Sequence, residues 1–194
     1  MTIKISVIVP CFNAEPYLRE AIGSARLHRQ AVEVIIVDDG STDGSLAIAE
    51  QLTPIVKIVK QVNSGVSAAR NAGIAAAAGE YCLFLDADDL LVEGAVDRLS
   101  ELVEADGPLV MMGSSEFVDR TGCSTSDRLP ARALFPTVLA GNLGIIGSWM
   151  APTEQLRRLG GFRRDMARDR SICLVFHHTS GVGRSRRCIC CFGR

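Results

Sequence analysis

Three carboxylates, Asp86, Asp88 and Asp89, follow directly on the apolar run of "EYCLFLDADDLLVEG". Negative charge crowded at the end of a buried strand is costly unless a cation shares the site. Asp86 and Asp88 are separated by one residue, and on an extended strand end positions i and i+2 project to the same side. Hard oxygen donors so placed suit Mg2+ or Mn2+, and Mg2+ in particular is commonly held by one or two carboxylates together with substrate phosphates. An ion held there would stabilise charge on a phosphate leaving group. Capping the next helix, near Val92, takes one carboxylate and not three, so Asp89 is assigned to capping or solvent.

A second acidic pair ends "IIVDDGS". Asp38 and Asp39 follow an apolar run, and Gly40 allows an unusual backbone angle or close ligand approach. A carboxylate here can accept a hydrogen bond from the imide N–H of a uracil or thymine ring. Ser41, Thr42 and Asp43 serve as N-cap candidates for the following helix, which leaves Asp39 free.

These groups need a scaffold that brings them to one edge. The apolar runs "IKISVIV" (3–9, closed by Pro10), "VEVIIV" (32–37), "IVKIVK" (55–60), "EYCLFL" (80–85) and "PLVMMG" (108–113) read as strands. Between them lie helical stretches at 14–27, with Pro16 in the first turn, from about Ser41 to Leu52, at 64–79 with Gly79 as its cap, and at 92–105. Strands that are apolar throughout, alternating with helices, predict a mostly parallel α/β sheet covered on both faces. Ligands bind such sheets at the strands' carboxyl ends. There the polar segments "PCFNAE", "DDGSTD", "NSGVSAARN" and "DADD" all fall.

Three other families with acidic or ligand-binding strand ends fit less well. An aspartyl-nucleophile phosphatase needs a lysine after its acidic motif, and Lys4, Lys57 and Lys60 all precede "FLDADD". A response-regulator receiver wants its phosphorylated aspartate in the third strand, where Lys57 and Lys60 stand. A nicotinamide-binding fold would show G-x-G-x-x-G after the first strand.

The ordered set "SVIVPCFNAEPYLREAI", "VEVIIVDDGSTDGS", "NSGVSAARNAGIAAAAGEYCLFLDADD" and "GGF" resembles the family 2 inverting glycosyltransferases of GT-A fold, over roughly residues 3–162. The resemblance implies a nucleotide-diphosphate-sugar donor (UDP- or dTDP-sugar), a divalent Mn2+ or Mg2+, and a saccharide or glycolipid acceptor. It matches Pro10 and Phe12 to the nucleobase pocket, Phe12 with a stacking face, and Asp39 to the carboxylate that reads the base. Arg70 matches an arginine near the nucleotide. Asp86 and Asp88 match the D-x-D motif, Asp86 nearer the ribose and Asp88 as metal ligand. The implied setting is polysaccharide biosynthesis in the cytoplasm, free or peripheral at the cytoplasmic face of the membrane.

The pattern changes after Phe162. Residues 1–162 carry 13 Lys+Arg against 20 Asp+Glu, whereas 163–194 carry 8 Arg against 2 Asp. The family's acidic base motif and Trp-bearing helix are not legible after "GGF", and Asp165 and Asp169 are the carboxylates left, Asp169 nearer the expected place. Residues 163–194 therefore read as an atypical Arg/Cys-rich tail of the kind a shifted reading frame produces. On that expectation the chain is a nucleotide-binding remnant lacking its general base. Cys173, His177, His178, Cys188, Cys190 and Cys191 match no paired C-x-x-C zinc framework. The tail also lacks the Lys and aromatic interleaving of a nucleic-acid binder. The overall balance of −1 likewise favours neither nucleic acid nor an anionic membrane. The first residues show no signal-peptide pattern, so the seven cysteines are expected as free thiols.

Overall fold

The computed structural model describes residues 4–28, 32–53, 55–106, 111–112, 114–117, 149–162 and 190–193. In chain order the elements are β1 (Ile5–Cys11), α1 (Leu18–Arg26), β2 (Val32–Asp38), α2 (Ser45–Gln51), β3 (Lys57–Lys60), α3 (Val66–Ala76) and β4 (Tyr81–Phe84). There follow β5 (Asp89–Leu91), α4 (Ala95–Asp106), β6 (Met111–Met112), β7 (Ser114–Phe117), β8 (Trp149–Pro152), α5 (Thr153–Arg158) and β9 (Cys190–Gly193). The main sheet has the order β3-β2-β1-β4-β8-β6. Its first four strands are mutually parallel, and β8 runs antiparallel to both β4 and β6. A smaller sheet has the order β5-β9-β7. The mostly parallel α/β architecture expected from the strand pattern is the one found.

The period-two alternation of β1 builds two cores. Ile5, Val7 and Val9 pack with Leu18, Ala21, Ile22 and Ala25 of α1 and with Val96 and Leu99 of α4. Ile8 faces the opposite layer, with Ala69 and Ile74 of α3, Phe84, and Leu156 of α5. Each such large apolar side chain, taken from water, contributes roughly 1.5–3 kcal/mol. This burial, on both faces of one sheet, fixes the direction in which the loops at the carboxyl edge emerge.

Several boundaries differ from the sequence reading. Strand β1 does not stop at Pro10 but runs through it to Cys11, with Pro10 opposite Val37. Ile8 accepts the Leu85 amide on the β4 side, and Cys11 accepts the Asp39 amide on the β2 side. By alternation Pro10 faces the β4 side, where β4 has already ended at Phe84, so its missing N–H opens no ladder bond. Pro16 lies in the turn before α1, not in its first turn. Helix α3 ends at the Ala77 cap rather than at Gly79. Its last carbonyls are satisfied instead by Arg157, whose guanidinium donates to Ile74 O at 3.1 Å and Ala77 O at 2.7 Å. Gly79 is small because β1 is near: a Cβ there would fall 2.6 Å from the Ser6 amide nitrogen. The strand expected over 108–113 is seen at Met111–Met112, and the remainder of that range lies outside the described residues.

Candidate functional site

The carboxyl ends of β1, β2, β3 and β4 place "CFNAE", "DDGSTD", "QVNSG" and "DADD" along one edge. The first two of these loops are tied to each other. Asn13, at φ +51, accepts the Thr42 amide at 2.8 Å through Oδ1, and its own N–H donates to Ser41 Oγ at 3.1 Å. Ala14 N donates to Ser45 Oγ, Glu15 N to Asp43 Oδ2, and Gly44 N to Glu15 Oε2. Asp43 also accepts Ser45 N at 2.9 Å, satisfying one free amide of the first turn of α2. Between these anchors Phe12 is 46% exposed, an aromatic face open to solvent at the sheet edge. Pro10, by contrast, is buried within β1.

Asp39 is not free. It is 3% exposed, and three donors from the loop after β3 converge on it. Gln61 Nε2 and Ser64 N reach Oδ1 at 2.7 and 2.8 Å, and Gly65 N reaches Oδ2 at 2.9 Å. A carboxylate has about four lone-pair positions, so one acceptor position on Oδ2 is left for a ligand N–H. Gly40 lets the loop after β3 come this close, because at φ +74 a Cβ would sit 2.9 Å from Asn63 N. The sequence offered a signal in the polar loop "QVNSG", but not which residue it would grip.

Asp86 and Asp88 do not lie on an extended strand. Strand β4 ends at Phe84, and Asp89 N donates to Asp86 O at 3.0 Å, closing a turn over 86–89. The turn, rather than the pleat, brings the carboxylates together. Arg70, 5% exposed on α3, donates from its guanidinium to Asp86 Oδ1 at 2.7 Å. Its ionic partner is therefore Asp86. Asp89 departs most from expectation: it neither caps α4 nor faces solvent, but begins β5 at 7% exposure. Burial, and then the charges of Asp86 and Asp88, push its carboxyl up to about 7. Asp88 is exposed as a residue, yet protein packed around its carboxyl, and then the Asp86 charge, raise it as well.

This is a cluster whose negative charge exceeds what Arg70 neutralises. The donor set fits a hard divalent ion, since all its atoms are carboxylate oxygens and each raised carboxyl would be relieved by added positive charge. Among the described residues no three His, Cys, Asp or Glu side chains converge as a complete metal cage. Mg2+ in particular is commonly held by one or two carboxylates together with the phosphates of a substrate.

The structure thus brings Phe12, Asp39, Arg70, Asp86 and Asp88 to one edge, with Pro10 beneath it. Asp165 and Asp169, and Cys173, His177, His178 and Cys188, lie outside the described residues. The sequence reading did not single out Asn71. Its side chain accepts Phe162 N at 2.7 Å and donates to Phe162 O at 2.8 Å, a paired bond across 91 positions. No local pattern predicts a contact of that span.

The chain matches the model of "Glycosyl transferase family 2" over residues 6–185, which extends past Phe162. It is 36% identical to the uncharacterised glycosyltransferase EpsJ of Bacillus subtilis over 163 residues, covering 79% of this chain and 42% of that protein. It is 33% identical to the uncharacterised glycosyltransferase YibD of Escherichia coli over 190 residues, covering 91% of this chain and 54% of that protein. The chain thus spans about half the length of these relatives. Among solved structures, a fragment of S. aureus TarS in complex with UDP superposes with a TM-score of 0.69 at 25% identity, covering 86% of this chain and 52% of that one. A Pyrobaculum calidifontis mannosyltransferase in complex with GDP-Man and Mn2+ shares the fold, with a TM-score of 0.64 at 23% identity over 88% of this chain and 50% of that one. With motif order, sheet topology and site edge in agreement, this chain belongs to glycosyl transferase family 2 and has the GT-A fold.

Proposed function

We propose that this domain binds a nucleoside-diphosphate sugar at the carboxyl edge of its sheet and takes part in sugar transfer with inversion to a saccharide or lipid-linked acceptor. The observation that carries the reading is the acidic turn 86–89, paired with Arg70 and sharing an edge with Asp39. Asp39 accepts an N–H of the base through its open position, which selects a ring with an imide-type donor. Phe12 offers the ring face on which that base stacks. Arg70, already aimed into the turn, supplies a fixed cation near the phosphates. Asp86 and Asp88 would hold Mn2+ or Mg2+, which when bound supplies positive charge to the diphosphate as it leaves. The acceptor hydroxyl displaces the diphosphate at the anomeric carbon, losing its proton to a general base. Asp169 is the sequence candidate for that base.

The bound UDP of the TarS fragment supports the nucleotide class. Among the described residues no helix is long and apolar enough to cross a membrane. A cytoplasmic setting, free or peripheral to the membrane, is part of the proposal.

Calorimetry with UDP and Mn2+, beside a donor-hydrolysis and transfer assay, tests the proposal. Binding that depends on the metal and is lost in Asp88→Ala supports the site. Unchanged metal-dependent binding in that variant refutes it. Binding without turnover assigns the chain to donor binding alone, and a general base is commonly worth a factor of about 10² to 10⁴ in rate.

A further inference from the structure

We propose that Asn71 and Phe162 are positioning residues for Arg70, so that the "GGF" turn sets the cation of the donor site; this rests on the site reading above. The chain of contacts begins at the end of α5. Gly160 N donates to Arg157 O at 3.1 Å and Gly161 N to Leu156 O at 3.0 Å, the two bonds of a Schellman cap. Both glycines are at positive φ, +79 and +72. The reversal they permit presents the N–H and C=O of Phe162 to the side-chain amide of Asn71, which bonds both. Gly161 also leaves room for that amide: a Cβ there would stand 2.2 Å from Asn71 Oδ1.

The clamp holds the Phe162 backbone, and the ring then has one place to go. It meets Phe84 edge to face at 5.0 Å and lies under the Arg70 guanidinium, whose central carbon is 5.5 Å from the ring centroid. An aromatic face and a carboxylate therefore fix the guanidinium from two sides, with Phe162 on one and Asp86 on the other. Arg70 Nε is buried without a hydrogen-bond partner, so no bond at Nε holds the group in register. The aromatic contact is then the restraint that, beside the Asp86 ion pair, keeps the long side chain from choosing other rotamers. Asn71 follows Arg70 directly on α3, so one helical turn carries both the cation and the group that orients its support.

The test uses the full chain and three substitutions, Asn71→Ala, Phe162→Leu and Arg70→Met. Two quantities are measured: UDP affinity in the presence of Mn2+, and the Arg70 Nε–Hε resonance without nucleotide, assigned by its loss in R70M. Asn71→Ala and Phe162→Leu should each weaken UDP roughly five- to tenfold, and by less than about twofold in the R70M background. Each should also shift the Arg70 resonance, which the ring places under a local aromatic field. Parent-like UDP affinity in both variants, with R70M weakened, overturns the positioning role and leaves the site reading intact. Parent-like affinity in R70M overturns the site reading instead. An Arg70 resonance unmoved in both variants, or equal weakening with and without Arg70, overturns the proposal. If Asn71→Ala fails to fold, Phe162→Leu carries the test, because it keeps the backbone clamp.

Discussion

Replacing Asp39 by asparagine separates the structural work of this carboxylate from its role toward a ligand. The two oxygens accept three N–H groups, from Gln61, Ser64 and Gly65. Asparagine has the same shape but only one acceptor oxygen. If that oxygen keeps Gln61 and Ser64, the new NH2 confronts the Gly65 N–H, donor against donor. Either amide orientation loses at least one charge-assisted bond, worth about 1.5–3 kcal/mol. Ser64 is exposed and Gly65 only half-buried, so water relieves part of the loss and about 2 kcal/mol is expected. With a urea m-value of roughly 2 kcal/mol/M for a domain of this size, the unfolding midpoint should fall by about 1 M with m unchanged. The same variant should lose metal-dependent UDP binding at urea concentrations where it is fully folded. A midpoint within about 0.25 M of the parent would show that the loop 61–65 is held by something else, and the account of Asp39 would fail.

Three further outcomes follow from named contacts. Gly161→Ala forces a Cβ against Asn71 Oδ1 at positive φ, costing about 2 kcal/mol and lowering Tm by about 4–8 °C; an unchanged melting curve contradicts the clamp. His28 titrates below its ordinary 6.5, because burial outweighs the pull of Asp97, the Ser24 backbone and Glu93. Its folded value is depressed, so the unfolded chain takes the proton first; the stability it confers is complete above about 6.5 and is lost as pH falls through the folded value. On going from about pH 7.5 to about pH 5, the urea midpoint of the parent should therefore fall relative to that of His28→Gln, and the same shift in both would refute this. Burial pushes the Cys82 thiol up to about 11, with Thr153 as its Oγ1 partner at 3.3 Å. Iodoacetamide at about pH 8 should leave the Cys82 peptide unmodified in native protein and label it in urea, as read by mass spectrometry; stoichiometric native labelling would count against its burial.

What could be read from one sequence was what is decided locally or by one-dimensional pattern. Apolar runs such as "SVIVP" and "VEVIIV" must be buried on both faces, which dictates a parallel sheet with covering helices and puts the polar motifs at one edge. The direction of β8, antiparallel to β4, was not legible, because a short apolar run carries no information about its partner's direction. Nor was the continuation of β1 through Pro10, which depends on β4 ending at Phe84, opposite Ile8 and short of Pro10.

The same division runs through the site. Residue types nominated Asp39, Asp86 and Asp88, since carboxylates next to buried strands need a reason to be there, and the family resemblance added Phe12 and Arg70. Which groups touch was settled only by the packed molecule. The loop after β3 closes on Asp39, Arg70 reaches Asp86, and Asn71 grips Phe162 across 91 positions. Asp89 shows the limit best: composition made it a surface cap, whereas the turn it closes carries it into β5 and raises its carboxyl. A side chain's type is written in the chain, but its dielectric surroundings and its neighbours exist only after distant segments have packed together, and those two things set its chemistry.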